Sequence, residues 1–301
     1  MVQTLLNAFR RSGARCTSMP MSAPADRFPL VDIALSRRLE RTEAHANAAF
    51  VESRARLEPE VGASWKDIGG AFALFDGVGS PLTQTFGLGM FSTADAAQLD
   101  ELDAFFVDRG AVPFYEVSPL ADASLLSLFA ERGYGPVELT SILHQPLLER
   151  ALPSSHPDSR VTVRRLDDAD VAEADHWAAV SAGGWAETPE LSEFIRALGR
   201  VNARAMDTHC FLAERGGQAI GAGAMHVHGG VALLAGASTI PTSRRLGAQQ
   251  ALLAARLRFA AESGCDLAMM GAAPGSASQR NAERQGFRIA YTRIKWGRQR
   301  P

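Results

Sequence analysis

The chain has 301 residues, 46% of them hydrophobic and 21% charged, with a formal net charge of −2. That is the composition of a folded chain long enough for two domains of ordinary size; it excludes global disorder and the basic field that gathers nucleic acid or anionic lipid. Cys16, Cys210 and Cys265 form no CxxC pair and have no histidine at metal-ligand spacing, so neither a disulfide framework nor a metal site is expected, and a cytoplasmic protein fits best.

Residues 1–27 carry arginines but almost no acid, and their apolar run is too short for a signal peptide or a membrane span. They are expected to be a disordered extension or a misassigned start, with Met19 or Met21 as the true one. No later segment has the ~18 uninterrupted apolar residues of a membrane helix, so no membrane partner is expected. Lys66 and Lys295 are the only lysines, which with heavy alanine use points to GC-rich bacterial coding.

From residue 28 the elements follow in an order that occurs twice. The stretch ALSRRLERTEAHANAAF reads as an amphipathic helix, TQTFGLGMF as a strand, and DAAQLDELDAFFVDRG as a long helix with Leu99, Leu102, Phe105 and Phe106 on one face. A strand (Phe114 to Val117), a short helix carrying Ala-Glu-Arg (130 to 132), Gly133-Tyr134 and a β-rich tail follow. The stretch PSSHPDSR, residues 153–160, interrupts the apolar pattern as a linker does.

The order then repeats: the helix DADVAEADHWAAV, the strands of FLAERGGQAIGAGAM, and the buried strand VALLAGAST (231 to 239). Next come the helix AQQALLAARLRFAAESG with Leu252, Leu253, Leu257 and Phe259, the strand Leu267 to Met270, and a helix with Ala-Glu-Arg (282 to 284). Gly286-Phe287 and a second β-rich tail close the repeat. Strands joined by a crossover helix give a mixed α/β domain in each half. The economical division is an N-terminal domain over 28–152, the linker 153–160 and a second copy over 161–301; two unrelated domains are the alternative.

One stretch has no counterpart in the first half. After VALLAGAST comes IPTSRRLGAQQALL, in which Pro241 stops the ladder and Gly247 permits a close backbone approach. A helix N-terminus entered through an Arg- and Gly-containing turn is a site for phosphate or pyrophosphate, with Arg244 and Arg245 adding charge-assisted bonds. On spacing alone, a plain turn with solvated arginines explains the same residues.

The stretch PTSRRLGAQQALL, the strand before it and the Gly-Phe helix after it resemble the GCN5-related N-acetyltransferase (GNAT) superfamily over residues 160 to 299. The family's loop is Arg/Gln-x-x-Gly-x-Gly/Ala; Arg244 and Gly247 match, and Gln249 departs from the final small residue. The resemblance implies two tandem GNAT-like domains of α/β class. It implies acetyl-CoA as acyl donor, with Ser238, Thr239 and Ile240 along the pantetheine arm and Arg244, Arg245, Leu246, Gly247, Ala248 and Gln249 around the pyrophosphate. Asn281 would lie near the thiol. In the first half, STADAAQLDELDAF stands where the cradle should be and has no Arg-x-x-Gly; Asp95, Asp100, Glu101 and Asp103 place negative charge there, so this half is expected to be a degenerate copy that binds no CoA.

The expected reaction moves an acetyl or short acyl group to an amine, in this resemblance with a backbone N–H near Thr239 polarising the thioester. The tyrosine that many members use as the thiolate's acid is replaced by Ala282; Tyr291 and Ser278 are the substitutes at hand, each with a packing or surface role as its alternative. His226 and His228 share one strand face and are candidates for a base, as is Glu187 beside Trp185. A small-molecule amine is the expected acceptor, a protein amine the other one, and a monomer or homodimer the expected state. The competing class is a non-catalytic acyl-CoA-binding or interaction module. A dinucleotide-binding oxidoreductase is rejected, because GLGM and GAGAM lack the Gly-x-Gly-x-x-Gly spacing.

Overall fold

The computed structural model describes residues 28–147, 160–167 and 170–298. The expected extension over 1–27 and all but the last residue of the expected linker 153–160 lie outside them. In chain order the first half supplies α1 (Ile33–Leu57), β1 (Ser64–Ile68), β2 (Ala71–Phe75), β3 (Gln84–Phe86), α2 (Ala96–Val107), β4 (Phe114–Val117), α3 (Ser124–Glu131) and β5 (Tyr134–Pro146). The second supplies β6 (Val161–Arg165), α4 (Val171–Gly183), α5 (Pro189–Asn202), β7 (Thr208–Arg215), β8 (Gln218–His228) and β9 (Val231–Thr239). It ends with α6 (Ala248–Glu262), β10 (Leu267–Ala272), α7 (Ala277–Arg284) and β11 (Arg288–Arg298).

These strands form one eleven-stranded mixed sheet in the order β1-β2-β3-β4-β11-β5-β10-β9-β8-β7-β6. The two β-rich tails are exchanged. Strand β5 of the first half pairs antiparallel with β10 of the second, and β11 of the second pairs antiparallel with β4 of the first; β5 and β11 pair with each other between them. Each half thus completes the other's sheet, where the sequence suggested a tail added to its own.

The helices cover both faces, as the alternation of strand residues requires. On one face α1 packs Ala44, Ala48 and Val51 against Phe72, Leu74 and Phe86, and its Leu35 and Leu39 reach Ile142 of β5 and Leu233 and Met269 of the second half. Trp177 of α4 lies on that face over Leu212, Ala222 and Ala224. On the other face, the expected stripe Leu99, Leu102, Phe105 and Phe106 is buried against β1, β2 and β4. Leu252 and Leu257 of α6 are fully buried, with Leu253 and Phe259 at the margin of that core. At about 1.5–3 kcal/mol for each fully buried leucine, these side chains anchor α2 and α6 to the sheet.

Two polar knots tie β11 into the first half. Arg293 is 2% exposed and donates to Glu116 Oε2 at 3.0 Å, to Glu43 Oε2 and Oε1 at 2.8 and 2.9 Å, and to Glu40 Oε2 at 3.4 Å. Tyr291 donates its hydroxyl to Glu40 Oε1 at 2.8 Å. Farther along, Asp103 Oδ1 accepts from the hydroxyls of Tyr115 and Tyr134 at 2.5 Å each, and its Oδ2 accepts from Arg298 Nη2 at 2.7 Å. Three carboxylates around one guanidinium leave an excess of negative charge in a dry place. Burial pushes the Glu40 carboxyl up to about 7 and raises that of Glu116.

Among the described residues, no helix is long and apolar enough to cross a membrane, and no group of three His, Cys, Asp or Glu side chains is placed to hold a metal ion.

Candidate functional site

In the second half the sheet opens. Strands β9 and β10 are parallel and pair at three positions only, Val231 with Leu267, Ala232 with Ala268 and Leu233 with Met269. Beyond them Met270 to Ala272 keep β5 as their neighbour, and β9 diverges. The consequence is visible in burial: Ala235, Gly236 and Ala237 are exposed although β9 is an inner strand. A widening gap between two backbone edges, floored by residues with little or no side chain, accepts an extended chain lying between them.

The β9 edge is irregular at the same place. Ala235 pairs with Ala224, but the next pair on β8 is Ala222 with Ser238, so two residues of β9, Gly236 and Ala237, oppose one of β8. This is a β-bulge, and Gly236 has φ +60°. A Cβ on Gly236 would also meet Trp177 and Ala224.

At the end of β9 the chain makes a single 3-10 turn over Pro241–Ser243 and enters α6. Arg245 has φ +65°, unusual for a residue with a side chain, and Gly247 at the helix cap has φ +88°. No side chain caps α6; its first backbone bond runs from Ala251 N to Gly247 O at 3.0 Å. The N–H groups and the positive dipole end at the start of α6 therefore face outward beside the gap. The same position in the first half is closed: Asp95 Oδ1 accepts from Gln98 N at 2.8 Å at the start of α2. There the strand gap is also bridged, by Asp122 N to Gly89 O at 2.9 Å and Ser124 Oγ to Ala94 O at 3.2 Å.

The residues singled out in the sequence separate into two groups. Ser238, Thr239 and Ile240 lie at the end of β9, and Arg244 to Gln249 form the turn and first residues of α6, so these gather at the mouth of the gap. Ser238 Oγ donates to Ser181 O at 2.9 Å, tying the strand end to α4; Gly184 has to be glycine because a Cβ there would lie 2.6 Å from Ser238 Cβ. Gln249 Nε2 donates to Thr239 Oγ1 at 2.9 Å, so this side chain spans from α6 to β9 instead of standing in open space. Arg244 turns to the α4–α5 loop, where its Nη2 meets Glu187 Oε2 at 2.9 Å and Gly184 O at 3.3 Å. Glu187 and the exposed Trp185 are thereby held beside the mouth.

The second group lies elsewhere. Tyr291 is buried in β11 with its hydroxyl committed to Glu40, which corrects its candidacy as a thiolate acid. His226 is buried with Nδ1 3.3 Å from Thr208 Oγ1, and burial pushes its pKa down to about 4. His228 stacks on His45 of α1, ring centroids 3.7 Å apart, at the far end of β8. Asn281 and Ser278 are exposed on α7, with Asn281 Oδ1 3.4 Å from Arg284 Nη1. Of Asp95, Asp100, Glu101 and Asp103, only Asp95 serves a helix start: Asp100 pairs with Arg132, Glu101 with Lys66, and Asp103 is buried among two tyrosines and Arg298.

Sequence reasoning missed Arg256. It is 4% exposed, on α6, with Nε donating to Leu252 O at 3.2 Å and Nη1 to Ala224 O at 3.0 Å and Ala235 O at 3.3 Å. The glycines of GAGAM, outside any dinucleotide pattern, make room here: a Cβ on Gly223 would lie 3.2 Å from the guanidinium, and one on Gly221 2.9 Å from Ser238 O. An isolated glycine in a strand pattern is the available signal for such a bulge.

Residues 148–276 match the family model of the acetyltransferase (GNAT) domain. A search of curated proteins finds no match. Among solved structures, a GCN5-related N-acetyltransferase from Kribbella flavida superposes with a TM-score of 0.60 at 19% identity, covering 84% of this chain and 96% of that one. A tandem GNAT protein from the clavulanic acid biosynthesis pathway gives 0.57 at 12% identity over 89% and 96%. A conserved protein of unknown function from Bacteroides thetaiotaomicron gives 0.55 at 11% identity over 90% and 99%. Residues 148–276 are thus similar to a GNAT acetyltransferase domain, and the chain as a whole shares its fold with solved GNAT structures, a tandem one among them.

Proposed function

We propose that this protein transfers an acetyl or short acyl group from CoA to an amine, with the cofactor in the second half alone. The GNAT domain and fold support acyl transfer from CoA in general. The observation that carries the assignment to this half is the contrast between the two helix starts. The first turn of α6 is uncapped beside an open strand gap, whereas Asp95 caps α2 with its side chain and the neighbouring gap is bridged. Three or four free N–H groups at a dipole's positive end suit a pyrophosphate. The exposed edge Ala235 to Ala237 suits the amide-bearing pantetheine arm.

In the transfer itself the amine nitrogen attacks the thioester carbon, the carbon–sulfur bond breaks, the thiolate takes a proton and the amine loses one. The α4–α5 loop supports an amine acceptor: Glu187 is an exposed carboxylate at the mouth, and Trp185 beside it offers an apolar surface. We assign a small cationic amine as acceptor on that pairing. The division into a silent first half (28–152), a linker (153–160) and a catalytic second half (161–301) belongs to the same proposal.

Calorimetry of acetyl-CoA against wild type, Gly247→Asp and Arg244→Glu tests it. Gly247→Asp puts a carboxylate at the start of α6, as Asp95 does in α2, and should weaken binding by about tenfold or more, equivalent to about 1.4 kcal/mol. Arg244→Glu should weaken it too. Absence of binding by wild type, or equal affinity in all three, overturns the cofactor site. Release of free thiol with a panel of amines separates an enzyme from a binding module.

A further inference from the structure

Arg256 is a buried cation with no anionic partner: none of the described carboxylates pairs with it, and burial lowers its pKa to about 10. Burying an unpaired charge is far costlier than burying an apolar side chain of similar size at this helix position. Its surroundings are nevertheless shaped for it. Gly223 leaves the space the guanidinium fills, and three backbone carbonyls converge on it.

Two of those carbonyls, Ala224 and Ala235, belong to the last regular pair before the bulge in β9. Trp177 lies against the bulge from the opposite face of the sheet. The bulge is therefore clamped, with an aromatic ring on one side and a guanidinium on the other. Nothing comparable is needed to hold a regular ladder.

The Ala235–Gly236 peptide is trans, as are all described peptides, so its C=O and N–H point in opposite directions. A charge-assisted hydrogen bond to the carbonyl withdraws electron density from the peptide and makes its N–H a stronger donor. The Arg256 guanidinium takes the Ala235 C=O, so the Gly236 N–H lies on the other side of that peptide, in an exposed part of β9 bordering the gap. We infer that Arg256 is a positioning residue, which fixes the bulge and polarises the Ala235–Gly236 peptide so that Gly236 N–H binds the thioester carbonyl of the acyl donor. The inference rests on the acyl-transfer reading of this gap and names the side chain that prepares it.

Isotope-edited infrared spectroscopy with acetyl-CoA carrying a ¹³C carbonyl tests it on the full chain, without knowing the acceptor. In wild type the bound carbonyl stretch should lie below that of free acetyl-CoA. In Arg256→Met at least half of that downshift should disappear, while affinity for CoA itself, which has no acyl group, changes by less than about threefold. Arg256→Lys keeps the charge but offers one nitrogen where the guanidinium uses Nε for Leu252 O and Nη1 for Ala224 O and Ala235 O, so its head is less firmly fixed and the variant should retain an intermediate shift. Should Arg256→Met not fold, as circular dichroism reports, the Lys variant alone decides between an intermediate and an unchanged shift. An unchanged carbonyl frequency in the folded variants, or equal losses of CoA and acetyl-CoA affinity with the shift intact, overturns the inference and makes Arg256 merely structural. Failure of wild type to bind acetyl-CoA in calorimetry is a different outcome, which removes the acyl-transfer reading first and the inference with it.

Discussion

Glu40→Gln keeps the shape of the side chain and an oxygen for the Tyr291 hydroxyl, but removes a titrating group from the dry junction between the halves. Glu40 is 1% exposed, and burial holds its carboxyl up to about 7 against the ordinary 4.5, with Arg293 pulling the other way. The folded chain keeps a proton that the unfolded chain releases between those two values. The stability this group contributes is therefore complete below about pH 4.5 and lost as pH rises through about 7. That separation corresponds to about 3 kcal/mol. Urea unfolding of both proteins between pH 5 and 8 reads the difference directly; His144 and His226, whose pKa values burial lowers, titrate in both and cancel. Relative to wild type the variant should gain stability as pH rises, by up to about 3 kcal/mol, or several degrees in Tm for a chain of this size. A difference that stays constant across that range refutes the idea that Glu40 holds a proton near neutrality.

Three further outcomes follow from the geometry. Residues 28–152 and 156–301, expressed separately, should each aggregate or remain partly unfolded, because β5 and β11 lack their partners; co-expression should yield a soluble complex on size-exclusion chromatography, and an isolated half with a cooperative unfolding transition contradicts the exchange. Asp95→Ala should cost about 1 kcal/mol in denaturant unfolding through loss of the α2 cap while leaving acetyl-CoA calorimetry unchanged; altered CoA binding would mean that the first half is not silent. Gly236→Ala should cost about 1–2 kcal/mol because the bulge needs a left-handed residue there, and should weaken acetyl-CoA binding; a neutral effect on both would show that the bulge is not fixed.

Much of the chain was legible because its signals are local. The strand read over 231 to 239 has those bounds in the structure, and the stripe Leu99, Leu102, Phe105 and Phe106 is buried as its spacing requires. TQTFGLGMF, by contrast, contributes a strand of three residues, since Gly87 and Gly89 adopt positive φ and turn the chain out of the ladder. The exchange of tails was not legible. Alternation along a strand specifies which face is buried and carries no information about which edge it joins, so β5 and β11 read the same whichever half they complete. The site shows the same limit. Gly247 and the turn before it were marked by residue type and order, whereas Arg256 looked like any polar residue of an amphipathic helix, because its role depends on a bulge in β9 that it meets only in the folded sheet. Gln249 looked like an obstruction; its bond to Thr239 gives it a place at the edge of the mouth.

The crossing of β5 and β11 also constrains how the molecule comes into being. Tyr291 and Glu40 meet across 251 residues of chain, and β5 cannot be enclosed on both sides until β10 and β11 have been made. Loop closure over such distances is slow, and until it occurs a newly made first half presents two open strand edges, β4 and β5, to every other nascent copy. Translation speed across the second half, and the chaperones that shield strand edges meanwhile, should therefore govern the yield of active protein more strongly than its final stability does.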